Sequence, residues 1–202
     1  TALETVTIGD GIKYVYDKAF YKDTALATVL GGGGLEYVAS DAFDQTAYVS
    51  TRPVDDPATP TDESTFLRIG SIYYRYVGTG KSAEIPAGVK VIAPNAFSTG
   101  HLIENITLGD ASQIESIGTD AFANTKWISE NHTTTETGDA NTFVQDGFVV
   151  INGILIAKRG RDAVVELPDL VRVIATGAFD NAYVTNLTIT ADSHLELIER
   201  DA

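Results

Sequence analysis

A chain of 202 residues, 44% hydrophobic and 21% charged, has the composition of a folded polypeptide long enough for a sizeable core. Its net charge of −14 argues against nucleic acid and anionic membrane surfaces as partners, because both are bound through Lys and Arg. No apolar run nears the roughly 20 residues that cross a bilayer, and the absence of cysteine removes disulfides and thiolate metal sites while leaving the redox compartment open.

The chain enters at once on a strand-like pattern, Leu3-x-x-Val6-x-Ile8, which suggests that an upstream segment has been removed. An aliphatic pair three apart then leads to Ala-Phe: Ile12, Val15, Ala19, Phe20. The same spacing returns at Leu35, Val38, Ala42, Phe43, and again at Val89, Ile92, Ala96, Phe97. It recurs at Ile114, Ile117, Ala121, Phe122 and at Val171, Ile174, Ala178, Phe179, and a last copy runs Leu195, Ile198, Ala202. Short strands of alternating character precede several copies, as in Ile103-x-x-Ile106-x-Leu108 and Val184-x-x-Leu187-x-Ile189. Each unit is therefore expected to be a strand, a turn, a second extended segment and a short helical turn at Ala-Phe. No unit buries its apolar side alone, so the units stack into one solenoid around a continuous core, with the Phe residues in a column.

Residues 72–97 align without gaps on 154–179, which reveals a longer duplicated block of about 82 residues. The inserted parts begin with loop-like stretches, Val49 to Thr65 with Arg52-Pro53-Val54-Asp55-Asp56-Pro57, and Ile128 to Thr142 with Thr133-Thr134-Thr135. Paired apolar runs follow around tight turns: Phe66–Ile69 and Ile72–Val77 flank Gly70-Ser71, and Phe148–Ile151 and Ile154–Lys158 flank Asn152-Gly153. The expected organisation is one solenoid domain over 1–202. Its units fall at about 1–25, 26–48, 83–101, 102–127, 164–183 and 184–202, with loop-plus-hairpin inserts at about 49–82 and 128–163. Neither end shows a polar cap, so the chain reads as part of a longer array.

The stretch Glu84-Ile85-Pro86-Ala87-Gly88-Val89-Lys90-Val91-Ile92-Ala93-Pro94-Asn95-Ala96-Phe97 resembles the BspA-like leucine-rich repeats, whose units follow L-x-x-I-x-I-P-x-x-V-x-x-I-x-x-x-A-F. The chain departs from that pattern at Gly31-Gly32-Gly33-Gly34 and in lacking the Pro in four units. The resemblance implies a leucine-rich-repeat solenoid, mostly β with short helical or 3-10 turns, a parallel strand ribbon on one face and two inserted hairpins. It further implies a bacterial protein, exported or on the cell surface, that adheres to host proteins or other cells, and it brings no catalytic residues.

Nothing in the chain assembles a catalytic or metal motif. Gly78-Thr79-Gly80-Lys81-Ser82 lacks the Gly that a phosphate loop needs five residues before the Gly-Lys pair, since position 75 is Arg. His101, His132 and His194 have no partner at ligand spacing. Asp55-Asp56 and Asp62-Glu63 lack the alternating oxygens and central Gly of a calcium loop, and no Ser stands in a nucleophile elbow. No cofactor is called for, and an enzyme acting on peptides or glycans has no positive sign. Gly31 to Gly34 reads as a flexible loop.

Two surfaces are candidates for binding. The outward positions of the strand ribbon, Thr5, Thr7, Thr28, Glu84, Asn105, Thr107, Glu166, Asn186 and Thr188, set hydroxyls, amides and carboxylates in rows, the arrangement solenoids use for recognition. A merely solvated sheet face accounts for them equally well. Tyr73, Tyr74 and Tyr76 on the first hairpin have hot-spot chemistry, but packing onto the solenoid is favoured because the aligned Leu155 and Ile156 are plain apolar residues. Asn105, Asn131 and Asn186 open glycosylation sequons that matter only in a eukaryotic secretory host. The functional expectation is an extracellular or cell-surface module that binds a protein, or a glycan, through the ribbon, with a structural spacer as the alternative.

Overall fold

The computed structural model describes residues 2–50, 65–129 and 141–202. The Pro- and Thr-rich stretches of both inserts, with Asp55, Asp56, Asp62, Glu63, Asn131 and His132, lie outside the described residues. The chain is a mostly-β solenoid. In chain order its strands are β1 (Thr5–Ile8), β2 (Tyr14–Val15), β3 (Thr28–Gly31), β4 (Tyr37–Val38), β5 (Phe66–Ile69), β6 (Ile72–Tyr76), β7 (Ser82–Ile85) and β8 (Val91–Ile92). There follow β9 (Asn105–Leu108), β10 (Ser116–Ile117), β11 (Phe143–Gln145), β12 (Phe148–Ile151), β13 (Ile154–Lys158), β14 (Val164–Glu166), β15 (Val173–Ile174), β16 (Asn186–Thr188) and β17 (Leu197–Ile198).

Each repeat contributes two strands, and like strands of neighbouring repeats pair in parallel. The first strands pair as β1-β3, β7-β9 and β14-β16. The second strands pair as β2-β4, as β6-β8-β10 and as β13-β15-β17. The hairpin strands β6 and β13 are thus rungs of the second ribbon rather than appendages. β5 is antiparallel to β6, and β12 to β13. The turns behave as Gly and Asn-Gly permit: Gly70 takes φ +57, and Asn152 and Gly153 take +46 and +73. A strand absent from the sequence reading, β11, pairs antiparallel with β12 across Asp146-Gly147, both at positive φ (+49 and +79).

The Ala-Phe segments are turns, not the helical turns expected. The residue before Ala holds a left-handed conformation in five of the six copies: Lys18, Asn95, Asp120, Gly177 and Asp201 have φ between +55 and +75. That conformation stops a right-handed helix, and Asn, Asp and Gly tolerate it best. Helix appears instead just beyond two of the turns, as α1 (Ala47–Ser50) and α2 (Lys126–Ser129). Thr46 and Thr125 open them alike. Each hydroxyl donates to the turn's Phe carbonyl (2.6 Å from Thr46, 2.8 Å from Thr125) and accepts the backbone N–H three residues on.

The turns also carry a backbone ladder between repeats. Phe20 N–H donates to Ala42 O at 2.8 Å and Phe97 N–H to Ala121 O at 2.9 Å, and Phe179 N–H reaches Ala202 O at 3.1 Å. The hairpins join the same ladder on their downstream side, Tyr76 N–H to Ala96 O and Lys158 N–H to Ala178 O, both at 2.7 Å.

The core is divided rather than continuous. Because every residue of β12 and nearly every residue of the first hairpin is buried, each hairpin is a two-faced wall, and strand alternation sends successive side chains to opposite sides. In the first hairpin, Leu67, Ile69, Ile72 and Tyr74 pack upstream with Leu26, Leu35, Val38 and Phe43. Phe66, Tyr73 and Tyr76 pack downstream with Ile92, Phe97, Phe122 and Trp127. In the second hairpin, Val149, Ile151 and Ile154 close that middle compartment, while Phe148, Val150 and Leu155 open a third one with Val171, Ile174 and Ala178. The aromatic column follows the same division. Phe20 stacks on Phe43 at 4.9 Å, and Tyr73 stacks between Phe66 and Phe97 at 4.9 and 5.0 Å, with Phe122 next at 5.0 Å.

Candidate binding surface

The three tyrosines of the first hairpin are core: Tyr73, Tyr74 and Tyr76 are each no more than 1% exposed, so packing and not display explains them. Burial pushes the Tyr73 phenol well above its ordinary range, and it raises that of Tyr74 to about 12 against the opposing charge of Arg75.

The nine ribbon positions all lie exposed on the first-strand sheets. In β1, β7 and β9 alternation puts them there, since Val6, Ile8, Ala83, Ile85, Ile106 and Leu108 turn inward between them, whereas in β16 Leu187 is exposed along with Asn186 and Thr188. Register brings them together in rows: Thr5 faces Thr28, Glu84 faces Thr107 and Glu166 faces Thr188. Asn105 faces Ser82, whereas Thr7 and Asn186 face apolar residues, Leu30 and Val164. Those two are 51% and 69% exposed, and the sequence reading missed them; their place two residues from Thr28 and Glu166 was the available signal. The structure does not join the three pairs into one hydrogen-bonded sheet, because β3 abuts the hairpin strand β5 rather than β7. The surface is three short polar patches, each two strands wide and two of them carrying an apolar spot.

At the edge of the middle patch, Glu104 accepts from Lys81 at 3.0 Å and from Lys126 at 3.3 Å. These hydrogen bonds, Lys81 first, hold its carboxyl below the usual range. Lys81 is therefore committed to Glu104, and the Gly80 N–H donates to the Tyr76 hydroxyl at 3.1 Å, so the glycine-rich stretch is a turn into β7. Asp110 accepts from the Ser112 hydroxyl at 2.6 Å and its N–H at 3.2 Å, which lowers its pKa and caps a 3-10 turn at Ala111–Gln113.

Gly31 to Gly34 is no flexible loop. A Cβ on Gly31 would stand 2.2 Å from Ile8 O and one on Gly34 1.8 Å from Asp10 O, so these glycines let two rungs approach backbone to backbone. His194 Nδ1 lies 3.0 Å from Asp169 O, and His101 lines an open cleft beside Tyr76 and Thr99. Among the described residues no three His, Asp or Glu side chains converge as a metal site, and no helix is long and apolar enough to cross a membrane.

Parallel rungs, a repeated apolar spacing and outward polar rows define a repeat solenoid of the kind that presents an extended face. The BspA type leucine rich repeat region matches residues 1–73 and 62–144 in six copies, and the chain belongs to that family. It is similar to the crystal structure of the pneumococcal vaccine antigen PcpA, with 18% identity, over 96% of this chain and 46% of that one, at a TM-score of 0.36. A leucine rich cell surface protein from Faecalibacterium prausnitzii A2-165 is also 18% identical, over 98% of this chain and 61% of that one, at a TM-score of 0.32. The chain thus spans roughly half the length of these two structures. No curated protein matches it.

Proposed function

We propose that this chain is a recognition module of an extracellular or cell-surface protein, and that it binds a protein partner, or a glycan, through the exposed first-strand patches. The observation that carries this reading is the register: polar side chains of adjacent repeats stand opposite one another on exposed strands, as in Glu84 with Thr107 and Glu166 with Thr188. Exposed Leu30 and Val164 add the apolar contact area that recognition surfaces use beside polar groups. Family membership supports binding over catalysis. The acidic balance favours a partner with a basic face, through complementarity that acts first on the association rate.

The test replaces Asn105, Thr107, Asn186 and Thr188 together with Arg and measures binding to arrays of purified host surface proteins and of glycans. A partner bound by the natural chain should be lost while circular dichroism and melting temperature stay unchanged. Binding that survives the four changes rejects the ribbon, and failure of every array member to bind the natural chain favours a spacer.

A further inference from the structure

The first-strand ribbon is interrupted before β14, and that strand is left with one side of its backbone unpaired. In a parallel ladder, alternate residues turn their N–H and C=O to the same neighbour. Ala163 O accepts from Asn186 N at 3.0 Å and the Leu167 N–H donates to Thr188 O at 2.9 Å, so residues 163, 165 and 167 face β16. The N–H and C=O of Val164 and Glu166 point the other way, and none of these groups has a hydrogen-bond partner among the described residues.

A cleft of about 570 Å3 runs along β14, walled by the strand itself and by the β11-β12 turn at Asp146. No residue of β16 lines it, so it lies on the side that β14 leaves open. Phe148 and Leu167 are buried at its base, and Asp146, Asp162 and Asp169 stand exposed around it. Glu166, Asp146 and Asp169 have no cation within ion-pair distance among the described residues. The nearby cations are committed. The Lys158 side chain is 1% exposed and bonds Arg159 O at 2.5 Å and Asp162 Oδ2 at 3.3 Å, and the Arg161 guanidinium lies 5.5 Å from the Tyr183 ring.

The aligned strand β7 shows what is particular to β14. It has Ser82 and Glu84 at the same places, and a hydroxyl suits an edge left in water, whereas β14 has Val164, 69% exposed. An unpaired edge flanked by an exposed apolar side chain is a template for another strand.

We propose that the open edge of β14 takes an extended basic peptide segment of the partner as an added strand. The segment's backbone pairs with Val164 and Glu166. Its side chains alternate, apolar ones toward the base of the cleft and Lys or Arg outward beside Glu166 and the three aspartates. This deepens the proposed function and rests on the ribbon being a binding face, because Val164 and Glu166 belong to its third patch.

The experiment titrates the whole chain with acetyl-Lys-Val-Lys-Val-Lys-amide and follows backbone amides by NMR and hydrogen exchange. One control replaces each Lys by Glu. The other is the lysine peptide N-methylated at every residue, which keeps the side chains but cannot donate from its backbone. Saturable shifts at residues 163–167 and slowed exchange of the Val164 and Glu166 amides are expected with the lysine peptide. Either control should bind about tenfold more weakly or worse, since it loses net hydrogen bonds or reverses its charge. Val164→Pro removes one outward N–H at the first residue of the strand, where proline is tolerated, and should weaken binding likewise with the melting temperature unchanged. No saturable shift at β14, equal binding of either control peptide, or undiminished binding by Val164→Pro overturns the assignment. If no peptide pairs with β14 while an array partner is still lost on changing Asn105, Thr107, Asn186 and Thr188, the added strand is rejected and the ribbon reading stands.

Discussion

The hairpins at Phe66–Tyr76 and Phe148–Lys158 have the same strand lengths and the same alternation, yet they seal their upstream neighbours by different means. The first uses the Tyr74 phenol, the Arg75 guanidinium and the Asp44 carboxylate, with Tyr74 hydrogen-bonded at both lone pair and proton and Arg75 bonded to Ser40 O as well. The second uses Ile156, Ala157 and Ala123, keeps a cleft, and buries Lys158 over the Phe148 ring at 5.2 Å where the first has Tyr76. A duplicated backbone therefore tolerates quite different junction chemistry. The wall needs apolar residues on both faces, but the joint at the Ala-Phe turn is free to vary: the Phe43 N–H meets the Tyr74 hydroxyl, whereas the Phe122 N–H meets no acceptor among the described residues.

The strongest way to break this comparison is through the residue each wall rests on. Phe97 is fully buried between Tyr73, Tyr76 and Phe122, whereas the aligned Phe179 is only half-buried in the third compartment. Phe97→Ala should cost about 3–5 kcal/mol in denaturant unfolding, the range for truncating a buried Phe. Phe179→Ala should cost less than half as much, because part of its ring already faces water. Equal losses would mean that the two compartments are packed alike.

A second difference is chemical. Tyr74 has its pKa raised by burial from 10 to about 12, so the folded state holds a proton that the unfolded state gives up. The stability this represents is complete below pH 10 and is lost as pH climbs toward 12, by about 2–3 kcal/mol for two units. Tyr73, raised in the same direction, adds to the loss. Tyr74→Phe should flatten the alkaline limb of a stability–pH curve while lowering stability at pH 7, because Phe43 N–H and Ser40 O lose their partner. The second junction, built on Leu155 and Ile156, contributes nothing to that limb. An alkaline limb unchanged in Tyr74→Phe would place the titration elsewhere.

How much of this was legible in the sequence follows from the range of the interactions. The Ala-Phe spacing fixes which side chains stack, and so the solenoid, the inward faces of the inner repeats and the exposure of all nine ribbon positions could be read from periodicity, whereas Ile12, Leu187, Ile189 and Ile198, inward by the same pattern, are exposed. The hairpins were equally visible in Gly70-Ser71 and Asn152-Gly153, and Asp146-Gly147 offered the same kind of signal for β11. Their role as walls was hidden, because a run such as Phe148-Val149-Val150-Ile151 shows that both faces are buried without showing that they are buried in different compartments. The glycines at 31–34 misled for a similar reason: the steric demand comes from Ile8 O and Asp10 O on another rung. In the same way the joint of Tyr74 and Arg75 with Ser40 and Asp44 spans more than thirty residues, beyond the reach of any local pattern.

Arg75→Ala supplies the finest test, since it converts the first joint toward Ala157 of the second. The Arg75 side chain is 18% exposed and Asp44 is 37% exposed, so water screens part of the pair. The loss should be about 1 kcal/mol, below the full value of a charge-assisted hydrogen bond. It should shrink when salt rises from 0.1 to 1 M, where the screening length falls from about 10 to about 3 Å. Asp44→Ala should lose less than Arg75→Ala, because Arg75 then keeps its bond to Ser40 O. If instead the aspartate change costs more, the ion pair and not the carbonyl contact closes the first junction, and the loss of a carboxylate at Ala123 would be the substitution that opened the second.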